Sequence, residues 1–152
     1  MVESRCTGRM RSLYLGIDQV AKSGVSTRKN IDIISLVGWC HYRLGEYEEA
    51  ARTFVEALAL DANSVYTHFD LALALMCDGR YSRALRKYGL TIELAKSKHI
   101  LRRRGLLWVA RRELKEAIDE QPRLAEVVEA QEGLEWLDKA WSDVEGAAPA
   151  TL

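Results

Sequence analysis

Residues 45–50 (Gly45-Glu46-Tyr47-Glu48-Glu49-Ala50) and 79–84 (Gly79-Arg80-Tyr81-Ser82-Arg83-Ala84) repeat glycine, aromatic and alanine in one order, 34 residues apart. The same offset carries Phe54 onto Tyr88, Leu58 onto Ile92 and Leu60 onto Leu94, and upstream it carries Val37-Gly38 onto Leu71-Ala72. A period of roughly 20–50 residues means that each unit is one supersecondary piece that buries its apolar face by stacking on its neighbour. Apolar residues recur at three and four inside each unit, so the spacing predicts two amphipathic helices per unit, 31–44 and 47–60 in the first. Gly45 and Gly79 supply the positive φ that ends the first helix of each pair. Gly38, Ala50, Ala72 and Ala84 are small because two helices cross closely there, and Phe54 and Tyr88 fill the wedge between successive helices. Asn63 or Ser64 is placed to cap the next helix.

This order of small, aromatic and alanine positions resembles the tetratricopeptide repeat. The residues that carry it are Val37, Gly38, Gly45, Tyr47, Ala50, Phe54 and Ala57 in one unit, and Leu71, Ala72, Leu75, Gly79, Tyr81, Ala84 and Tyr88 in the next. Departures are Ile34 and His68 in a slot for a larger side chain, His41 where tyrosine is common, and Ala62 and Lys96 in place of a closing proline. The resemblance implies an all-α fold, an α-solenoid of antiparallel helix pairs, with clear repeats at 31–64 and 65–97. A degenerate third repeat is expected at 98–123, where Leu101, Gly105, Trp108 and residues 114–117 recover the order if one residue is deleted, with Pro122 interrupting its second helix. Periodicity alone predicts helical caps at both ends of this single domain. Met10, Leu13, Tyr14, Ile17 and Val20 mark an N-terminal capping helix over 9–22, and Leu124, Val127, Val128, Gln131, Leu134, Leu137 and Trp141 mark a C-terminal one over 124–143. Residues 144–152 read as a flexible tail.

The 152 residues hold 22 basic and 22 acidic side chains, so overall charge favours neither nucleic acid nor membrane. Cys6, Cys40 and Cys77 are odd in number and include no CxxC pair, which fits reduced thiols. With no apolar stretch that reads as a signal core or a membrane span, a cytoplasmic protein is expected. No phosphate loop, zinc-protease or nucleophile-elbow motif occurs, so the reading is non-enzymatic, without cofactor or metal. His41, His68 and His99 are read as hydrogen-bonded or packed histidines rather than as ligands.

What the resemblance implies is binding on a concave wall lined by the first helix of each pair. In this register the wall takes Trp39, Tyr42 and Arg43 with Asp32 and Ser35 from the first repeat, and Tyr66, Phe69, Leu73, Met76 and Cys77 from the second. Arg102, Arg103, Leu106 and Val109 come from the third. Aromatic anchors and an adaptable methionine suit a peptide or a partner helix. Self-association, or a groove filled by the N-terminal helix, are the competing uses of the same residues. Chaperone-binding relatives clamp a terminal carboxylate with basic residues and asparagine; Ser35, Trp39 and Asp70 stand at the matching places, so that clamp is not expected.

Charge is segregated along the chain. Residues 96–123 hold nine basic and four acidic side chains, and residues 124–152 hold one basic and seven acidic. The favoured reading packs the acidic helix beside Arg102, Arg103, Arg104, Arg111 and Arg112 through modest surface pairs. The alternative makes the basic run 96–112 a phosphate-binding patch for nucleic acid, with Trp108 to stack. A third possibility is a regulatory subunit of an enzyme complex.

Overall fold

The structure is a computed structural model that describes residues 27–147, with seven helices and no strand among them. The N-terminal helix expected at 9–22, Cys6 and the last five residues lie outside the described residues. The chain divides between Thr67 and His68 into two compact units.

In the first unit, α1 (Thr27–Arg43) and α2 (Tyr47–Leu60) form a helical hairpin. Gly45, at φ 76°, makes the turn. The Gly45 amide donates to the Tyr42 carbonyl at 3.0 Å and the Glu46 amide to the His41 carbonyl at 2.9 Å, the paired bonds of a Schellman cap. Phe54, 1% exposed, fills the hairpin. A Cβ on Gly38 would stand 2.5 Å from its ring, so the glycine is what lets α1 approach. Ala50 and Ala57 bury the rest of that face. At the end of the unit the Ser64 hydroxyl accepts from the Thr67 amide at 3.4 Å and pairs with the Thr67 hydroxyl at 2.8 Å, so of the two predicted positions Ser64 caps the next helix.

That helix, α3 (Val65–Cys77), runs on into the second unit, where it is followed by α4 (Tyr81–Ala95), α5 (Ile100–Glu120), α6 (Pro122–Ala125) and α7 (Val128–Ala147). Gly79, at φ 83°, repeats the first turn: its amide donates to the Met76 carbonyl and that of Arg80 to the Leu75 carbonyl. Residues 71–77 are buried without a break, and Phe69 meets Tyr88 of α4 with ring centroids 6.2 Å apart. Leu107, Ala110, Leu114 and Ala117 give α5 a buried stripe.

Two features differ from the spacing prediction. The degenerate third repeat is expected to turn near residue 114, but α5 continues unbroken for 21 residues. Thirty-four residues beyond Gly79 stands Glu113, which has no easy access to positive φ, in a run of strong helix formers. Pro122 ends this long α5 and not a second helix of the repeat: it opens the short α6, and Gln121 before it is extended, at φ −120° and ψ 91°, the conformation favoured before proline. The break after α6 also resets the phase of the last helix. Its buried face is Ala130, Gly133, Leu137 and Val144, while Val128 is 72% exposed.

Candidate functional site

Nine of the residues assigned to the binding wall fall into three structural groups. Phe69, Leu73 and Met76 are 3%, 2% and 0% exposed, so the expectation that they present themselves to a partner is corrected: in this structure they are core. Trp39 and Tyr42 are half-buried, and Arg43 and Tyr66 are exposed. Arg102 is exposed and Arg103 half-buried, both on α5. Leu106, expected beside them, is buried. The periodicity of α3 cannot separate these fates, because the helix is apolar nearly all round and one turn of it holds Tyr66 and Phe69 together.

In the first unit the half-buried rings form a connected set. Trp39 meets Tyr42 edge-on at 5.1 Å, and Tyr42 meets Tyr47, at the start of α2, at 5.5 Å. Trp39 also touches the Phe54 ring at 6.3 Å, which ties the set to the core of the hairpin. Such rings are held in place before any partner arrives, so little rotamer freedom is lost on binding. Tyr47 is absent from the sequence-based assignment because it occupies a repeat position there; its partner 34 residues on, Tyr81, carries the same signal.

The basic run meets its acids. Arg104 pairs with Glu145 at 2.7 Å, Arg111 pairs with Asp138, and Arg112 reaches Glu116 at 3.8 Å. Two of these three acids belong to α7, the helix expected to cover the run. Trp108 is 44% exposed but lies under the Arg112 guanidinium, 4.8 Å from the ring centroid, and Arg111 lies over Trp141 at 5.3 Å. These arrangements support the packing reading of the charge segregation, since Arg104 and Arg111 are paired with acids of α7 and the Trp108 ring carries the Arg112 guanidinium.

The remaining chemical groups are structural. His41 is buried, with Nδ1 3.3 Å from a Glu46 carboxylate oxygen across the glycine turn. His99 accepts from the Leu101 amide at 3.3 Å and so caps α5. No group of three or more histidine, cysteine, aspartate or glutamate side chains able to hold a metal occurs among the described residues. Cys40 and Cys77 are buried and form no disulfide, and burial pushes the Cys40 thiol above its ordinary 9.0, away from the thiolate that reacts. Gln121 donates to the Cys77 sulfur at 3.4 Å and Arg123 to the Cys77 carbonyl oxygen, so the junction of α5 and α6 caps the end of α3. No helix among the described residues is long and apolar enough to cross a membrane.

A family model described as the TPR repeat matches residues 40–79, from the last turn of α1 through α2 to the glycine that ends α3. No curated protein and no solved structure matches the chain.

Proposed function

We propose that this chain, which contains the tetratricopeptide repeat, is a non-enzymatic adaptor that grips a protein segment through Trp39, Tyr42, Arg43 and Tyr66. The repeat is in general a protein-interaction scaffold, and the finer assignment rests on one observation. The first unit leaves a pre-packed set of rings half open, with the Arg43 side chain exposed on the same helix and Tyr66 49% exposed at the start of α3. Aromatic and arginine side chains carry most of the energy in protein interfaces, and a rigid ring loses little entropy when it is covered. Cys40 and Cys77 are buried and form no disulfide, which supports a reducing compartment for the protein.

The test is capture of partners by the tagged chain, with and without nuclease, beside a Tyr42→Ala/Tyr66→Ala variant. The expected result is a protein retained by the parent, indifferent to nuclease and lost from the variant, whose melting point stays within a few degrees. Capture that the variant retains in full would remove Tyr42 and Tyr66 from the interface and overturn the proposed grip.

A further inference from the structure

A cleft of about 380 Å³ opens between α4, α5 and α7, wholly within the second unit. Its floor is apolar, made by Ile92 of α4, Leu107 of α5 and Ala140 and Val144 of α7. Trp136, 37% exposed, stands at its lip. Gly89 admits that ring, since a Cβ there would lie 3.2 Å from it. The volume is near the lower end of the roughly 300–1,000 Å³ range of ligand pockets, which is room for a pair of side chains and not for a helix.

The charges around the floor are unevenly satisfied. Lys96 is paired with Glu93 at 2.7 Å. Arg103 forms no hydrogen bond or ion pair through its side chain with another described residue, and its Nε is buried with no acceptor. Lys139, on the opposite wall, has no ion pair among the described residues either. Arg103 and Lys139 thus bring two cationic side chains to the cleft that are not neutralised by an ion pair among the described residues. A carboxylate is matched to a guanidinium and to a neighbouring ammonium. Glu93 and Asp143 on the same rim disfavour a polyanion, so nucleic acid or a polyphosphate is a poor occupant.

We infer that this cleft is a docking site for a partner-protein segment that presents one carboxylate beside a bulky apolar side chain. The apolar side chain lies on Ile92, Leu107 and Trp136, and the carboxylate accepts from Arg103 with Lys139 nearby. Every lining residue lies in the second unit, so this site stands or falls independently of the rings around Tyr42.

Isotope-labelled full-length chain is titrated with a capped pentapeptide, leucine-glutamate-leucine between glycines, and with its glutamine counterpart, following the Trp136 indole and Arg103 Nε–H signals. The expected result is a saturable shift with the glutamate peptide and about tenfold weaker binding of the glutamine one. The shift disappears in Arg103→Gln and in Ala140→Phe, which fills the cleft without touching a charge, and it is partly kept in Arg103→Lys. Equal binding of the two peptides, no saturable shift up to about 1 mM peptide, or binding that survives in Ala140→Phe overturns the assignment. A saturable response to inorganic phosphate with none to either peptide also overturns it, in favour of a small-anion site. Where Arg103→Gln lowers the melting point, the Ala140→Phe result decides.

Discussion

Two glycines inside helices make opposite demands. At Gly38 an added Cβ would meet three atoms of the Phe54 ring between 2.5 and 2.9 Å, and that ring is 1% exposed. Overpacking of this kind costs about 1–3 kcal/mol, which outweighs the gain of up to about 1 kcal/mol from replacing glycine in a helix. At Gly133 the added Cβ would sit 3.6–3.7 Å from Leu114, Tyr88 and Leu85, in ordinary contact. There the helix-propensity gain of about 0.5–1 kcal/mol stands alone. Gly38→Ala is therefore expected to lower the melting point and Gly133→Ala to raise it, each by about 2–4 °C per kcal/mol in a chain of this size. Thermal unfolding of the two variants side by side checks the sign; a stabilised Gly38→Ala would mean that Phe54 is not held as tightly as its burial implies. The repeat register marks Gly38 as a crossing point from the sequence, whereas nothing in the register marks Gly133, which lies outside the two units that match.

At the scale of elements, what was legible followed the 34-residue offset. It placed both glycine turns, the buried Ala50, Ala72 and Ala84 and the wedge residues Phe54 and Tyr88, and it narrowed the next cap to Asn63 or Ser64, of which Ser64 serves, because each is a local demand of one helix pair. Past residue 98 the offset fails, and apolar spacing misleads in two places, one on the last helix and one on α3. The stripe assigned to the last helix holds at Leu124 and Leu137, both buried, but it includes the exposed Val128 and passes over Ala130 and Gly133, whose smallness allows close approach. On α3 the apolar surface runs nearly all round, so the sequence cannot say that Tyr66 stays exposed while Phe69 is core. The consequence is measurable. Phe69→Ala removes a side chain that is 3% exposed and in contact with Tyr88, for about 3–5 kcal/mol of stability, whereas Tyr66→Ala leaves melting within a few degrees. Chemical denaturation of the single variants separates them; equal midpoints would return Phe69 to the surface set.

Over the whole molecule, equal numbers of acids and bases conceal a division, with the bases concentrated at 96–123 and the acids after 124. Folding cancels it locally, through Arg104 with Glu145 and Arg111 with Asp138. Opposite charges this close lie well inside the Debye length of about 8 Å at physiological salt, so a polyanion meets a much reduced potential there. Reversing the two acids, Asp138→Lys with Glu145→Lys, turns neutralised arginines into part of a basic field. The pairs have partly exposed partners, 41% and 38% for the first and 36% and 46% for the second, and exposed pairs contribute about 1 kcal/mol at most, so the variant is expected to stay folded. The parent should bind single-stranded DNA weakly or not at all at physiological salt, and the variant should bind it with an affinity that falls linearly, on logarithmic axes, as salt rises. Fluorescence polarisation with a labelled oligonucleotide reads both. Tight, salt-sensitive binding by the parent would mean that the acids of α7 do not shield the run, and would make nucleic acid the leading partner of residues 96–112.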